Sequence, residues 1–390
     1  MIDFNFISPT KIYFGKNKEN EIGNIIKSYG FKNIMIVYGM NSVIKSGLLD
    51  KVTTLLKKND IAFILFGGVR ANPTREKVLE GVKLAKENKV DLLLAIGGGS
   101  VMDCSKSIGV GYYYDKDPFD FNMHIAKPTR TLPVGVILTI AASGSELSNS
   151  CVIQEDSTGM KKGFNNDIIR PLFVIEDPLL TYTTPRFQTS CGIIDMMMHT
   201  FERYFSLSDN NEIADEFAQG ILKSVYDAGL IANKEPTNYE ARATLMLASS
   251  LSHNGLTSIG KVFQFPCHYL EHILSGVYPS VAHGAGLAVI FPAWLEEYQE
   301  VDSKKMAKLA KIIFDIDCKS EKEGATIFLA KIREFFALLG MPSNFKELGI
   351  ANADIDRLTE QFLLNGTRVI DHGSKPLDQA LAKKIFLKCN

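Results

Sequence analysis

Five side chains of the kinds that hold metal ions fall in two short stretches of this sequence. Asp195 and His199 lie in CGIIDMMMHTFERYF; His268, His272 and His283 lie in HYLEHILSGVYPSVAHGAGLAV. The chain has 7 histidines, so three in the second stretch is a concentration. Asp195/His199 and His268/His272 are each spaced i, i+4, which on a helix puts both members of a pair on one face. One such pair alone is more often surface polarity than a ligand set. Two pairs, with His283 close behind, point to two facing helices that assemble an oxygen- and nitrogen-rich cage for a divalent ion. A carboxylate with neutral imidazoles suits Fe2+, Zn2+, Co2+, Mn2+ or Ni2+, because ligand type alone separates these ions poorly. The sequence reads as that of a metalloenzyme.

A second chemical feature is DLLLAIGGGSVMDCSKSIGV, an apolar strand, a triple glycine and a helix, with Gly97, Gly98, Gly99 and Ser100 at the junction. Glycines let a backbone approach phosphate closely, and the free N–H groups of a helix start supply donors and a favourable dipole. It is neither the usual dinucleotide fingerprint, whose third glycine is Met102 here, nor a P-loop. Two companion segments end other strands. Tyr38-Gly39-Met40-Asn41-Ser42 carries no acidic residue that would receive a ribose 2'-hydroxyl and repel a 2'-phosphate, so NADP is permitted as well as NAD. Thr139-Ile-Ala-Ala-Ser143-Gly144-Ser145-Glu146 offers hydroxyls to a nicotinamide or phosphate, although such a loop is often only a turn.

The elements that must position these residues divide the chain in two. NIMIVYG, AFILFGG, DLLLAIGGG, LPVGVILTI and RPLFVIEDP read as buried strands separated by helix-periodic stretches, which implies a parallel sheet covered by helices with ligands at the strands' C-terminal ends. This α/β unit is placed at 1–184. After Thr184, expected to cap a helix with Pro185 at its first position, the pattern is helical throughout, with stops at Gly255, Gly276 and Gly340. An all-helical unit is therefore expected over 185–390.

Composition bounds the partners. A chain of 390 residues with 46% hydrophobic content suits about two globular domains. A net charge of -1 gives no footprint for nucleic acid or an anionic membrane surface. Six scattered cysteines without a Cys-x-x-Cys read as reduced thiols. The opening MIDFNFISPTKIYFGK has no basic segment followed by an apolar run, and no uncharged apolar stretch reaches membrane-spanning length, so a cytoplasmic location is expected.

Taken in order, GGGSVMDCSK, TIAASGSE, KKGF…RPLFVIEDPLLTYTTP, GIIDMMMHTFERY and CHYLEHILSGVY…AHGAGLAVIFPAW give the chain a resemblance to the iron-dependent (group III) alcohol dehydrogenases, nearest the butanol dehydrogenase branch. The resemblance runs almost end to end. It implies a dehydroquinate synthase-like architecture: an α/β N-terminal nucleotide-binding domain plus an all-α C-terminal metal-binding domain. Asp195, His199, His268 and His283 match the family's metal ligands, and His272 a histidine near the nicotinamide. Gly97, Gly98, Gly99, Ser100 and Asp103 match its first cofactor loop, Thr139 and Ser143 the second. Gly39, Asn41 and Ser42 match the segment that meets the adenosine ribose, and Lys161 a cofactor-side lysine. The implied protein is a homodimeric NAD(P)-dependent alcohol dehydrogenase or aldehyde reductase that moves hydride between nicotinamide and a small alcohol or aldehyde such as butanol or butanal, with His272 relaying the proton. A dehydroquinate synthase-like lyase is the alternative within the same fold.

Three positions depart from the family pattern. One residue more than usual separates His268 from His283, an insertion the Tyr278-Pro279-Ser280 turn is expected to absorb. Ser143 stands where threonine is usual. Ile44, beside Lys45, stands where butanol dehydrogenases often carry lysine. His124, His253 and His372 are expected to be structural or surface histidines, Met196–Met198 and Cys267 core residues, and Tyr204 and Tyr278 packing residues.

Overall fold

The computed structural model describes residues 1–206, 211–364, 369–370 and 375–390; His372 lies outside them. Two compact units emerge, Ile7–Thr184 and Met1–Phe6 with Pro185–Asn390. The break at 184/185 is where the hydrophobic period changes. The first six residues depart from the expected 1–184 unit. No strand forms before Lys11, and the Ile2 N–H donates to the Gly260 carbonyl at 3.1 Å, tying the start of the chain to the helical unit.

In the α/β unit, β1 (Lys11–Phe14), β2 (Asn33–Tyr38), β3 (Ala62–Phe66), β4 (Leu92–Gly97), β5 (Val134–Leu138) and β8 (Phe173–Glu176) form a sheet in the order β1-β8-β5-β4-β2-β3. Every pairing is parallel. The central strands β4 and β5 are buried along their whole length, which is why they read as unbroken apolar runs. From β2 the chain steps outward to β3, then returns past β2 to β4. The winding therefore reverses between β2 and β4, and in such sheets ligands bind beyond the strand ends at that reversal. Gly39–Ser42 follows β2 and Gly97–Ser100 follows β4, so both segments expected to meet a cofactor flank the switch point.

The sequence reading missed β1 and a separate antiparallel hairpin, β6 (Ser150–Glu155) with β7 (Met160–Asn165), which carries Lys161 opposite Gln154. Its turn closes on Gly159 at φ 67°, a conformation that favours glycine.

The helical unit contains the Arg186–Tyr204, Glu212–Lys234, Tyr239–Ser252, Pro266–Val277, His283–Tyr298, Ser303–Phe314 and Glu321–Leu338 helices, with others beyond. Three local expectations need correction. The first helix begins at Arg186, with Pro185 as its uncapped N-cap; the Thr184 hydroxyl is directed to the Thr139 carbonyl, 3.5 Å away. Gly255 (φ 101°) and Gly340 (φ 71°) do follow helix ends, but Gly276 is helical and buried, and its helix runs on to Val277. The unit is also not purely helical, because Val369–Ile370 pairs antiparallel with Leu377–Asp378. Arg186–Tyr204 is buried continuously from Thr189 to Tyr204, Met196–Met198 included, as a helix enclosed on every side must be.

Late in the chain, Glu297 sits among Lys375, Lys384 and Lys388. Burial alone would raise its pKa; Lys384, Lys388 and Lys375 outweigh burial and hold the carboxyl down to about 2. A depressed carboxylate stabilises the fold above its ordinary pKa, and that contribution disappears as pH falls through the folded value. Lys384 is 61% exposed, so solvent screening discounts the effect to about 1–2 kcal/mol. Glu297→Gln is expected to lower the unfolding midpoint at pH 7, with the gap to the parent protein closing as pH falls from about 4.5 toward 2. Thermal denaturation across that range checks it; a pH-independent gap would contradict the charge origin.

Candidate metal centre

Three helices build this site. Arg186–Tyr204 supplies Asp195, His199 and Glu202, the i, i+4, i+7 positions of one face. Pro266–Val277, with proline at its first turn, supplies His268, Glu271 and His272. His283 opens the His283–Tyr298 helix. In the preceding turn the Val281 N–H donates to the Tyr278 carbonyl at 3.0 Å.

The convergence is on one oxygen. Asp195 Oδ1 lies 3.3 Å from His199 Nδ1, 3.5 Å from His268 Nε2 and 3.6 Å from His283 Nε2. Each of Asp195, His199 and His268 offers a ligand atom within 4.8 Å of the others. All three are buried to 6% exposure, while His283 is partly open. Asp195 Oδ1 and His268 Nε2 are buried without a hydrogen-bond partner. Buried polar atoms are ordinarily satisfied, and a divalent cation with nitrogen and oxygen ligands fits this pair and its neighbours.

Two carboxylates that the sequence reading overlooked orient the imidazoles. Glu202 holds His268 Nδ1 and also accepts the His268 N–H at 3.4 Å; Glu271 holds His283 Nδ1. Each pairing commits Nδ1 and turns Nε2 toward Asp195, the usual carboxylate–histidine support of a bound metal. The signal was legible in principle, since Glu202 continues the face set by Asp195 and His199. Glu271 had the same cue, three residues after His268 on its own helix, but in both cases the partner imidazole comes from another helix and spacing could not name it. Glu271, His272 and His283 also form a cluster with atoms within 4.8 Å. Glu271 is already engaged with His283 Nδ1, so the convergence on Asp195 defines the better ligand set.

Electrostatics follow from burial. Burial, then His253, His268 and Arg203, hold the His199 imidazolium well below its usual range. Burial also opposes charge on His268, but Glu202 and Asp195 outweigh it and lift the group to about 9. A cation bound at Nε2 thus displaces a proton from His268. Glu202→Gln, which keeps shape and removes charge, is expected to weaken metal binding about 10–100-fold. Chelator competition measures it; unchanged affinity would deny Glu202 this role.

Other expectations sort as follows. His272 is half-buried, its ring 5.6 Å from that of His283 and 6.5 Å from that of His268. His253, expected to be structural or at the surface, packs its ring edge-on 4.0 Å from His199. Spacing could not reveal this, since His253 arrives from the end of a different helix. His124 is exposed, Cys267 is buried, and Tyr278 Oη accepts the Asp354 N–H at 2.9 Å.

The second locus lies in the α/β unit. The Gly99–Tyr112 helix starts at Gly98 with no side-chain cap, so backbone N–H groups of its first turn remain for a ligand. A Cβ on Gly98 would sit 2.4 Å from Ile140 Cγ2, and one on Gly99 2.5 Å from Ser143 Oγ. These glycines let the two loops expected to hold cofactor touch. Thr139 N–H donates to the Gly97 carbonyl at 3.2 Å. Asp103 is committed inside the protein, accepting from Ser145 Oγ at 2.7 Å and the Val152 N–H at 2.9 Å. Burial raises its pKa, against Lys106, Ser145, Val152 and Lys161. Lys161 is buried on β7; Asn41 and Ser42 are exposed, and Gly39 is half-buried with its carbonyl accepting the Gly68 N–H at 3.1 Å.

A doubly wound sheet with an uncapped glycine turn at its switch point, and a helical unit with a carboxylate-supported histidine cage, define a nucleotide- and metal-using enzyme. Comparison with known proteins gives the family. Residues 9–178 match the model of the iron-containing alcohol dehydrogenases, and residues 189–369 match the C-terminal model of the same family. The NADH-dependent butanol dehydrogenase A of Clostridium acetobutylicum is 41% identical over 391 residues, covering 100% of both chains. The NADPH-dependent aldehyde reductase YqhD of Escherichia coli is 34% identical, covering 94% of each. The crystal structure of a Thermotoga maritima NADH-dependent butanol dehydrogenase A superposes with a TM-score of 0.95 at 31% identity, over 100% of this chain and 99% of that one. The chain belongs to the iron-containing alcohol dehydrogenase family.

Proposed function

We propose that this chain is an NAD(P)-linked alcohol dehydrogenase that works as an aldehyde reductase on short- to medium-chain substrates such as butanal, with Fe2+ as its ion and Zn2+ as a workable replacement. The observation that carries the reading is the convergence of three imidazoles on Asp195 Oδ1, two of them aimed by buried carboxylates. When bound, the ion supplies Lewis-acid polarisation of a substrate oxygen, and the dinucleotide supplies or accepts hydride. Asp195, His199, His268 and His283 hold the ion, and one carboxylate among neutral imidazoles leaves a net charge of about +1 on the cluster. Gly97–Ser100 present backbone donors to phosphate, and Thr139 and Ser143 present hydroxyls beside them.

His272 is the proposed proton carrier: it is half-buried, so it has access to solvent, and it neighbours His283. His272→Ala is expected to retain metal and lose turnover about 10²-fold, within the usual span of general acid–base catalysis. Full turnover with metal retained would remove that role. NADH is the favoured nicotinamide. Ile44, 48% exposed behind β2, offers no charge to a 2'-phosphate, and relatives at 41% and 40% identity are NADH-dependent.

The reading extends to a cytoplasmic homodimer. All six cysteines are free thiols, which suits a reducing compartment, and among the described residues no helix is long and apolar enough to cross a membrane. Half-exposed Phe4, Phe6 and Ile7 near the start of the chain offer apolar surface to a second copy. Sedimentation at monomer mass would refute the dimer.

The deciding experiment is anaerobic oxidation of NADH and NADPH with butanal, comparing metal-stripped protein with protein reloaded with Fe2+ or Zn2+. Turnover only after reloading, faster with NADH, is expected. No turnover with metal demonstrably bound would sink the butanal reading.

A further inference from the structure

Lys106 is fully buried, at 0% exposure, on the helix that begins at the glycine turn. Its ammonium meets five oxygens: the Ser145 carbonyl at 2.7 Å, Ser145 Oγ at 2.9 Å, the Ser148 carbonyl at 3.1 Å, Ser148 Oγ at 3.3 Å and the Ser150 carbonyl at 2.9 Å. Three N–H groups shared among five acceptors leave no donor for solvent. Burying an ammonium is unfavourable unless such partners replace its water, so this side chain persists only with the loop wrapped around it.

That loop is the one that carries Ser143. Ser145 Oγ donates to Asp103 and accepts from Lys106, which joins an anion and a cation of one helix through a single hydroxyl. Ser143 Oγ in turn accepts the Ser145 N–H at 3.3 Å. On its other side it lies 2.5 Å from where a Cβ on Gly99 would be. The helix with the first cofactor loop at its start thus clamps the second loop from inside. We infer that Lys106 is a positioning residue of the nicotinamide site, fixing residues 143–150 so that the Ser143 hydroxyl and the Gly97–Ser100 turn keep one relative geometry.

The inference rests on the proposed cofactor site, and its test separates the two. NADH dissociation constants are measured by fluorescence titration of metal-loaded protein for the parent, Lys106→Met, Ser145→Ala and Ser143→Ala, with metal content recorded for each. Lys106→Met is expected to weaken NADH binding about tenfold or more, equivalent to about 1.4 kcal/mol, with one metal equivalent retained. Hydrogen exchange is expected to accelerate in 143–150. Ser145→Ala removes one acceptor and the Asp103 link, and is expected to weaken binding severalfold; it carries the test if Lys106→Met does not fold. Affinity unchanged in the Lys106 and Ser145 variants, while Ser143→Ala binds weakly, would overturn the inference and leave the cofactor site standing. A lowered melting temperature with unchanged affinity would likewise make Lys106 purely structural. Failure of the parent protein to bind either nicotinamide would overturn the cofactor site and the inference together.

Discussion

Asp195→Ala is expected to leave the protein unable to retain metal through dialysis and to reduce butanal turnover by about 10³-fold or more, the counterpart of several kcal/mol of lost Lewis-acid stabilisation. His199 Nδ1, His268 Nε2 and His283 Nε2 all lie within 3.6 Å of its Oδ1, so this one atom faces all three rings. Removing it leaves three neutral imidazoles facing a divalent ion in a buried volume with no anionic ligand. It also removes a carboxylate that helps keep His268 protonated in the metal-free state, so the phenotype does not reflect proton competition there. Metal analysis beside anaerobic kinetics checks both arms. A full equivalent of metal in Asp195→Ala would show that the ligand set is wrong.

Gly284→Ala, the addition of one methyl group, is expected to cost nearly as much. A Cβ on Gly284 would lie 2.2 Å from the Cys191 carbonyl oxygen and 2.6 Å from Cys191 Cα, both backbone atoms of the Arg186–Tyr204 helix. Neither can rotate aside, so the helix that begins at His283 must retreat by about 1 Å to restore van der Waals contact. His283 is the adjacent residue, and Asp195 is one turn beyond Cys191. The retreat therefore acts directly on a 3.6 Å separation, whereas metal–ligand distances tolerate about 0.2 Å. Metal affinity is expected to fall about 100-fold with the fold retained. Gly220→Ala is the control. It lies inside the Glu212–Lys234 helix with nothing within 4 Å of its Cβ position. There alanine is expected to stabilise by about 0.5–1 kcal/mol. Parent-like metal affinity in Gly284→Ala would show that the interhelical approach does not set the site.

Much of this was legible in the chain itself. Five of the six parallel strands declared themselves as apolar runs, the central ones such as LLLAIG because burial on both faces demands it, and the glycine turn followed from its place between strand and helix. Asp195, His199 and His268 were marked by residue type and helical spacing, since the i, i+4 rule is local geometry. The β6–β7 hairpin was not legible: its strands stand outside the main sheet and carry Lys161, Lys162 and Gln154 where a core strand would be apolar. Nor could spacing show that Glu271 holds His283, that His253 packs edge-on against His199, or that Lys106 is wrapped by Ser145, Ser148 and Ser150.

Sequence alone thus determined the period of each element, the two-unit organisation and the inventory of ligand types, because these depend on neighbours within one or two helical turns. Tertiary structure decided which nitrogen of each imidazole faces Asp195, which carboxylates hold the rings, and how closely two backbones approach at Gly284. Those depend on contacts between segments up to 93 residues apart, from Cys191 to Gly284, where only packing sets distance.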